Sequence, residues 1–253
     1  MSFTYEDRYV AFIDILGFSE LVRRSEDDNG LFAAVQEALE MVSEFENREP
    51  VKPGIFWRMA HAFSDNIVMS VPANHGELQM ALLPMAGALC RWLLGQGFLT
   101  RGAIVRGPLH HSGQVVFGGG LIQAASLEKE QAIYPRLLVT QEVRIHGATD
   151  IQALAVRYGQ VLRQDADKWF HYDYLRCRPA IGLEEKEPVE AFTRIRSIIA
   201  RNLSTQTDQH RRKKWTWLAG YFNETVRAES ALRVSELAPG NEGGLGEGAR
   251  EVT

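Results

Sequence analysis

The chain has 253 residues, 45% of them apolar and 24% charged, the mixture of a globular protein able to bury a sizeable core. Its net charge of −4 lacks the overall basic signature of a nucleic-acid binder. Two cysteines, Cys90 and Cys177, give no framework of bridges, which points to reduced thiols in a cytoplasmic protein. The opening MSFTYEDRY is not a secretory signal, and the longest apolar region, 78–94, is broken by Pro84, Gly87 and Arg91, so it reads as a core helix rather than a membrane span.

The stretch 9–22, YVAFIDILGFSELV, reads as a buried strand ending in an acid, a glycine turn and a helix start. Val10, Phe12 and Ile13 are strand formers. Asp14 stands at the strand's C-terminal end, where open sheets present ligand-binding groups. Gly17 allows a close turn, and Ser19 is expected to cap the helix. The expectation is that Asp14 binds a metal ion and the loop behind it cradles phosphate. Phe32, Val35, Leu39, Val42 and Phe45 recur at helical spacing and predict a core-facing helix over 30–46. Strands are expected at 55–62 and 67–71, with Ser64, Asp65 and Asn66 forming the tight turn between them.

Leu78, Leu82, Met85, Leu89 and Trp92 predict a further helix, kinked at Pro84 and ended by Gly95 and Gly97. A strand is expected at 98–106, interrupted by Gly107-Pro108, and a short one at 115–117. Gly118, Gly119 and Gly120 lead into a helix over 121–130; such a turn can hold phosphate on backbone N–H groups, although three glycines alone are weak support. A buried strand at 137–139 follows. The order β-α-α-β-β-α-β-(β)-α-β predicts an α/β (α+β) fold, a ferredoxin-like mixed sheet covered by helices.

Beyond that, 168–174 reads as an edge strand, and 188–202 and 208–234 as helices. Trp215, Leu218, Phe222 and Val226 share one helical face, and the preceding run 211–214, RRKK, reads as solvated. The expected division is 1–155, a C-terminal strand and helical extension over 156–235, and a disordered tail over 236–253.

Asp14 and Asp65 are the sharpest chemical feature. Two close carboxylates repel, and one is pushed toward its protonated form unless a cation lies between them. Oxygen ligands suit Mg²⁺ or Mn²⁺. His110 and His111 follow a Gly-Pro turn without zinc-ligand spacing and read as surface turn histidines. No G-x-S-x-G, Walker A or dinucleotide fingerprint is present.

Several segments resemble the class III nucleotide cyclases. The run 14–19, DILGFS, is similar to that family's D-I-x-G-F-[ST], and 63–65, FSD, falls where it has its second metal-binding aspartate. RGAIVRGP at 101–108 resembles R-x-G-I-x-x-G-P, and 116–128 aligns with V-[FW]-G-x-x-V-N-x-A-x-R-[LM]-E. The resemblance implies two Mn²⁺ or Mg²⁺ ions per site held by Asp14, Asp65 and the Ile15 carbonyl. It also implies phosphate on the backbone of Gly17 and Phe18 beside Ser19, and head-to-tail homodimers with shared sites.

The family's transition-state Asn and Arg fall at Ile122 and Ser126, and its adenine-selecting Lys and Asp at His61 and Val115. Arg106 is therefore the expected replacement cation, ahead of Arg101, Arg58 and Arg136. The lost purine-reading pair, with AIYPR and KKWTWLAGYFN, resembles the Pycsar pyrimidine cyclases of bacterial anti-phage signalling. That resemblance implies UTP as substrate, with His61, Arg58, Phe56 and Trp57 filling the base pocket. It implies cyclic UMP as product, read by a separate effector, and no nucleic-acid or membrane partner. CTP, a purine nucleotide, or a degenerate nucleotide-sensing or dimerisation module remain open alternatives.

Overall fold

A computed structural model describes residues 4–44, 59–74, 76–112, 115–146, 162–176, 188–226 and 232–234. Its centre is β1 (Glu6–Ile15), flanked antiparallel by β3 (Asn66–Pro72) and β4 (Thr100–Ser112). β2 (Met59–Phe63) pairs with β3 through a two-residue turn, Ser64-Asp65. Helices α1 (Phe18–Ser25) and α2 (Asn29–Glu44) join β1 to β2, and α3 (Gly76–Gly95) joins β3 to β4. The order β2-β3-β1-β4 with these connections is the ferredoxin-like arrangement the sequence predicts. The sheet continues through β6 (Leu137–Val139), parallel to β4, then β8 (Phe170–Tyr172) and β7 (Leu162–Gln164). β5 (Val115–Phe117) folds back on the far half of β4.

β1 reads as an unbroken apolar run because both of its faces are covered. Tyr9, Ala11, Ile13 and Ile15 enter the main core with Leu82, Leu89 and Leu93 of α3. Val10 and Phe12 face the other way, onto Ala124, Leu121 and Leu127 of α4 (Gly119–Gln131). The C-terminal helices α6 (Pro188–Thr205) and α7 (Gln209–Thr225) join the main core through Ile195, Ile199, Trp215, Leu218 and Phe222.

Two close approaches fix the register around the site. A Cβ on Gly102 would lie 2.3 Å from the Phe12 carbonyl oxygen, and one on Gly107 would lie 3.0 Å from the Gly120 Cα. α4 therefore crosses β4 backbone against backbone. The glycine triplet exists for that crossing: Gly118 has φ 146° and presses on the Pro108 carbonyl.

Other differences are local. β4 runs unbroken through Gly107-Pro108, because β6 pairs only as far as Ile104 and leaves the outer side of the strand free for a residue without an N–H. His110 and His111 therefore lie in β4, not in a surface turn, and His111 is buried with its Nδ1 2.8 Å from Ser70 Oγ. α1 begins at Gly17, with φ 76°, and no side chain caps it; Ser19 lies inside the helix. Asp28 caps α2 instead, accepting from the N–H groups of Gly30 and Leu31. The expected edge strand is shorter, Phe170–Tyr172, and lies between β6 and β7 rather than at the edge. The expected 208–234 helix ends at Thr225, capped at its start by Asp208. β7 and α5 (Gln141–His146) are additions that short polar-rich segments did not signal. The strand expected from 55 and the tail 236–253 fall wholly or partly outside the described residues.

Candidate functional site

The site gathers at the C-terminal end of β1. Asp14 is the last residue of β1 paired with β3, opposite Asn66, and it faces Arg101 on β4. Asp65 occupies the β2–β3 turn, whose preceding residue Ser64 has φ 58°. The Ile15 N–H donates to the Asp65 carbonyl at 2.8 Å, which holds the turn against the end of β1. The Asn66 amide donates to Asp65 Oδ1 at 2.9 Å. Gly17 and α1 follow at once, so unpaired N–H groups of a helix start stand beside the acids. The structure thus brings Asp14, Ile15, Asp65, Gly17, Phe18 and Ser19 to one place, with Phe18 buried and Ser19 exposed.

A third acid joins them. Glu128 on α4 is buried, and its Oε1 lies 2.5 Å from Arg101 Nε, a contact without hydrogen-bond geometry. The same Arg101 Nε donates to Asp14 Oδ2 at 3.1 Å. Burial raises the Asp14 carboxyl above the usual range; Arg101 opposes this and the Asp65 charge adds to it. Burial pushes Glu128 further, to about 7, against the pull of Arg101. Lys214 of α7 is half-buried within electrostatic reach of Asp14 and Arg101, and burial lowers its proton affinity.

Arg106 is not brought to the acids. It lies five residues along β4 from Arg101, about 17 Å at ~3.4 Å per residue. The odd separation puts it on the opposite face of the sheet, over the Tyr9 ring. There it makes a bidentate pair with exposed Asp7. Arg136 is wholly buried in ion pairs with Asp165 and Asp167. His61 is in β2, opposite Val68, while Phe56, Trp57 and Arg58 lie outside the described residues. Ile122 and Ser126 are both exposed on α4. The glycine triplet stands at the start of α4, about nine residues and ~14 Å of helix from Glu128, so it is not the turn beside the acids.

Glu128 and Lys214 escaped the sequence reading. Gly120, Ala124 and Glu128 are the buried positions of α4 at a spacing of four, and an acid on that stripe was a readable signal. Lys214 carried none, being one of four consecutive cations of which the other three are exposed.

Among the described residues, no group of three or more His, Cys, Asp or Glu has the spacing of a closed metal cage. Two carboxylates and a carbonyl still suit a hard cation that keeps waters and binds through a substrate's phosphates. Burial first, and the Asp65 charge after it, disfavour the ionised Asp14 carboxyl, which a cation beside it would favour.

No family model and no curated protein match this sequence. Among solved structures it is similar to a bacterial light-regulated adenylyl cyclase, with a TM-score of 0.38 and 14% identity over 77% of this chain and 98% of that one. A second structure of a bacterial light-regulated adenylyl cyclase gives a TM-score of 0.38 and 13% identity over 78% of this chain and 59% of that one. At these values neither likeness bears on the chemistry. No helix among the described residues is long and apolar enough to cross a membrane.

Proposed function

We propose that the chain is a metal-dependent nucleotide cyclase that converts UTP to cyclic UMP and pyrophosphate. The observation that carries this reading is the juxtaposition of Asp14 and Asp65, tied through the Ile15 N–H, beside the start of α1. Asp14, Asp65 and the Ile15 carbonyl are the oxygen donors for Mg²⁺ or Mn²⁺. When bound, the metal supplies charge neutralisation of the triphosphate and makes the 3′-hydroxyl easier to deprotonate. The N–H groups of Gly17, Phe18 and Ser19 receive phosphate oxygens. The 3′-hydroxyl loses its proton to solvent water as its oxygen bonds to the α-phosphorus, the bond from that phosphorus to the α–β bridging oxygen breaks, and pyrophosphate leaves. Arg101, already on Asp14, takes the charge-stabilising role the sequence reading gave to Arg106.

The residues His61 and Val115, where purine readers are expected, favour a pyrimidine base. His61 and Arg58 are the candidate base contacts. The rest of the reading is a cytoplasmic homodimer with shared sites, whose product a separate effector reads in anti-phage defence.

Incubation with each of the four nucleoside triphosphates and Mn²⁺ tests the reaction. Cyclic UMP is expected, abolished by Asp14→Ala and by Asp65→Ala in proteins that stay folded. Full activity in either variant removes the two-acid assignment, and a cyclic purine or cyclic CMP corrects the base. A second reading has its own observation. Arg101 already gives Asp14 and Glu128 an internal counter-charge, as in a degenerate domain that senses a nucleotide without turnover. Nucleotide binding that survives EDTA, with no product from any nucleotide, selects that reading.

A further inference from the structure

We propose that Glu128 is a positioning residue: it draws the Arg101 guanidinium off Asp14 and so leaves that carboxylate to the metal ion. This deepens the metal-dependent reading of the same site and rests on it for the ion, though not for the contacts of Arg101.

Three elements fix the three side chains. Asp14 and Arg101 are register partners of β1 and β4. The Gly102 N–H donates to the Arg136 carbonyl at 3.0 Å, which anchors the strand next to Arg101. Glu128 comes from α4, which lies so close on β4 that a Cβ on Gly107 would be 3.0 Å from the Gly120 Cα. With the backbones held, the long Arg101 side chain is the part that can move. It is also the most exposed of the three, at 23% against 14% for Asp14 and 8% for Glu128.

One N–H of Arg101 stands before two carboxylates. Its Nε donates to Asp14 Oδ2 at 3.1 Å. The same nitrogen is 2.5 Å from Glu128 Oε1 without donating to it, and that buried oxygen has no hydrogen-bond partner among the described residues. This nitrogen carries a single hydrogen, so it serves one acid fully at a time. A buried acceptor without a donor is costly, and Glu128 therefore competes for Arg101. A divalent ion decides that competition, because a guanidinium and a metal ion on one carboxylate are like charges at close range. Arg101 thus opposes the ion at Asp14, and Glu128 is its alternative partner.

The test uses the full chain and Mn²⁺ alone, without nucleotide, at pH 8, with bound ion read by electron paramagnetic resonance. Groups in contact couple by about twofold to a hundredfold in an equilibrium constant. Arg101→Met should bind Mn²⁺ about tenfold more tightly than the parent, and Glu128→Gln about tenfold more weakly. When Glu128→Gln is added to Arg101→Met, affinity should change by less than about threefold, because the residue that Glu128 positions is gone. Arg101→Gln serves if the methionine variant fails to fold, with the same outcome expected. Asp65→Ala should abolish the binding, and binding that survives it overturns the assignment. An equal loss from Glu128→Gln in both backgrounds overturns the proposal, because Glu128 would then act on the ion itself. Unchanged affinity in Glu128→Gln, no gain in Arg101→Met, or no Mn²⁺ bound by either the parent or Arg101→Met also overturns it. A chain that makes cyclic UMP but shows the same Glu128→Gln loss in both backgrounds keeps the cyclase reading and loses this one. A chain that makes no cyclic product but loses Mn²⁺ only while Arg101 is present does the reverse.

Discussion

Glu128→Gln isolates the electrostatics of the acid cluster without changing its shape. Glu128 is 6% exposed, and burial moves its carboxyl from an ordinary 4.5 to about 7. The folded chain therefore holds this proton more tightly than the unfolded chain does. Between those two values the folded state binds more protons, so stability falls as pH rises, then flattens above about 7. At about 1.4 kcal/mol per pKa unit, the loss attributable to Glu128 between pH 5 and pH 8 is roughly 2–3 kcal/mol. Glutamine cannot ionise, so its variant lacks that loss. Costs of the substitution that do not depend on pH, such as a change in side-chain packing, cancel when the two pH values are compared. Urea denaturation of both proteins in EDTA at pH 5, 6, 7 and 8 measures it. The variant should gain roughly 2–3 kcal/mol relative to the parent across the range. A parent-minus-variant difference that stays flat within about 0.5 kcal/mol refutes the reasoning, because Glu128 would then ionise as in water.

Arg106→Ala breaks a partly exposed pair with Asp7 and the contact with the Tyr9 ring on the face away from the acids, so urea stability should change by no more than about 2 kcal/mol and kcat with UTP should not move. Gly102→Ala places a Cβ 2.3 Å from the Phe12 carbonyl oxygen, beside the pairing of Asp14 with Arg101. It should lower stability by at least about 2 kcal/mol in the same denaturation assay and reduce turnover in whatever remains folded. Arg136→Met leaves Asp165 and Asp167 without the buried guanidinium that joins them, and should cost about 3–5 kcal/mol. Asp165→Asn combined with Arg136→Met should recover part of that cost, which a double-mutant cycle reads directly.

The parts of the fold that were legible are those whose signal is local. β1 announces itself because cover on both faces demands apolar side chains at every position from Tyr9 to Ile13. The β2–β3 turn was readable in Ser64 and Asp65, whose side chains favour a two-residue reversal. The parts that were not legible depend on distant pieces meeting. Pro108 looked like a break, and only the short reach of β6 makes it tolerable inside β4. The sequence favours Arg106 over Arg101, and only the pairing of β1 with β4 places Arg101 opposite Asp14 and Arg106 opposite Tyr9, on the other face. Glu128 enters the site only because Gly107 and Gly120 let α4 lie close on β4. The two acids at the end of β1 are thus visible in the sequence, while the cations and the third acid around them require the tertiary register.

The same logic explains why the C-terminal extension belongs to the site rather than hanging from it. Three of its contacts fall on the short connection between α4 and β6. Tyr134 stacks on Trp217, the Pro135 carbonyl accepts from the Tyr174 hydroxyl at 3.0 Å, and Arg136 is pinned by Asp165 and Asp167. That connection controls both sides of the acid cluster. Upstream it ends the helix that carries Glu128; downstream the Arg136 carbonyl accepts from the Gly102 N–H at 3.0 Å, one residue from Arg101. A shift of the extension would therefore move Glu128 and Arg101 relative to Asp14, and would carry Lys214 with it. The end of β1 supplies the acids, but the charge around them is set by residues 87 or more positions later in the chain.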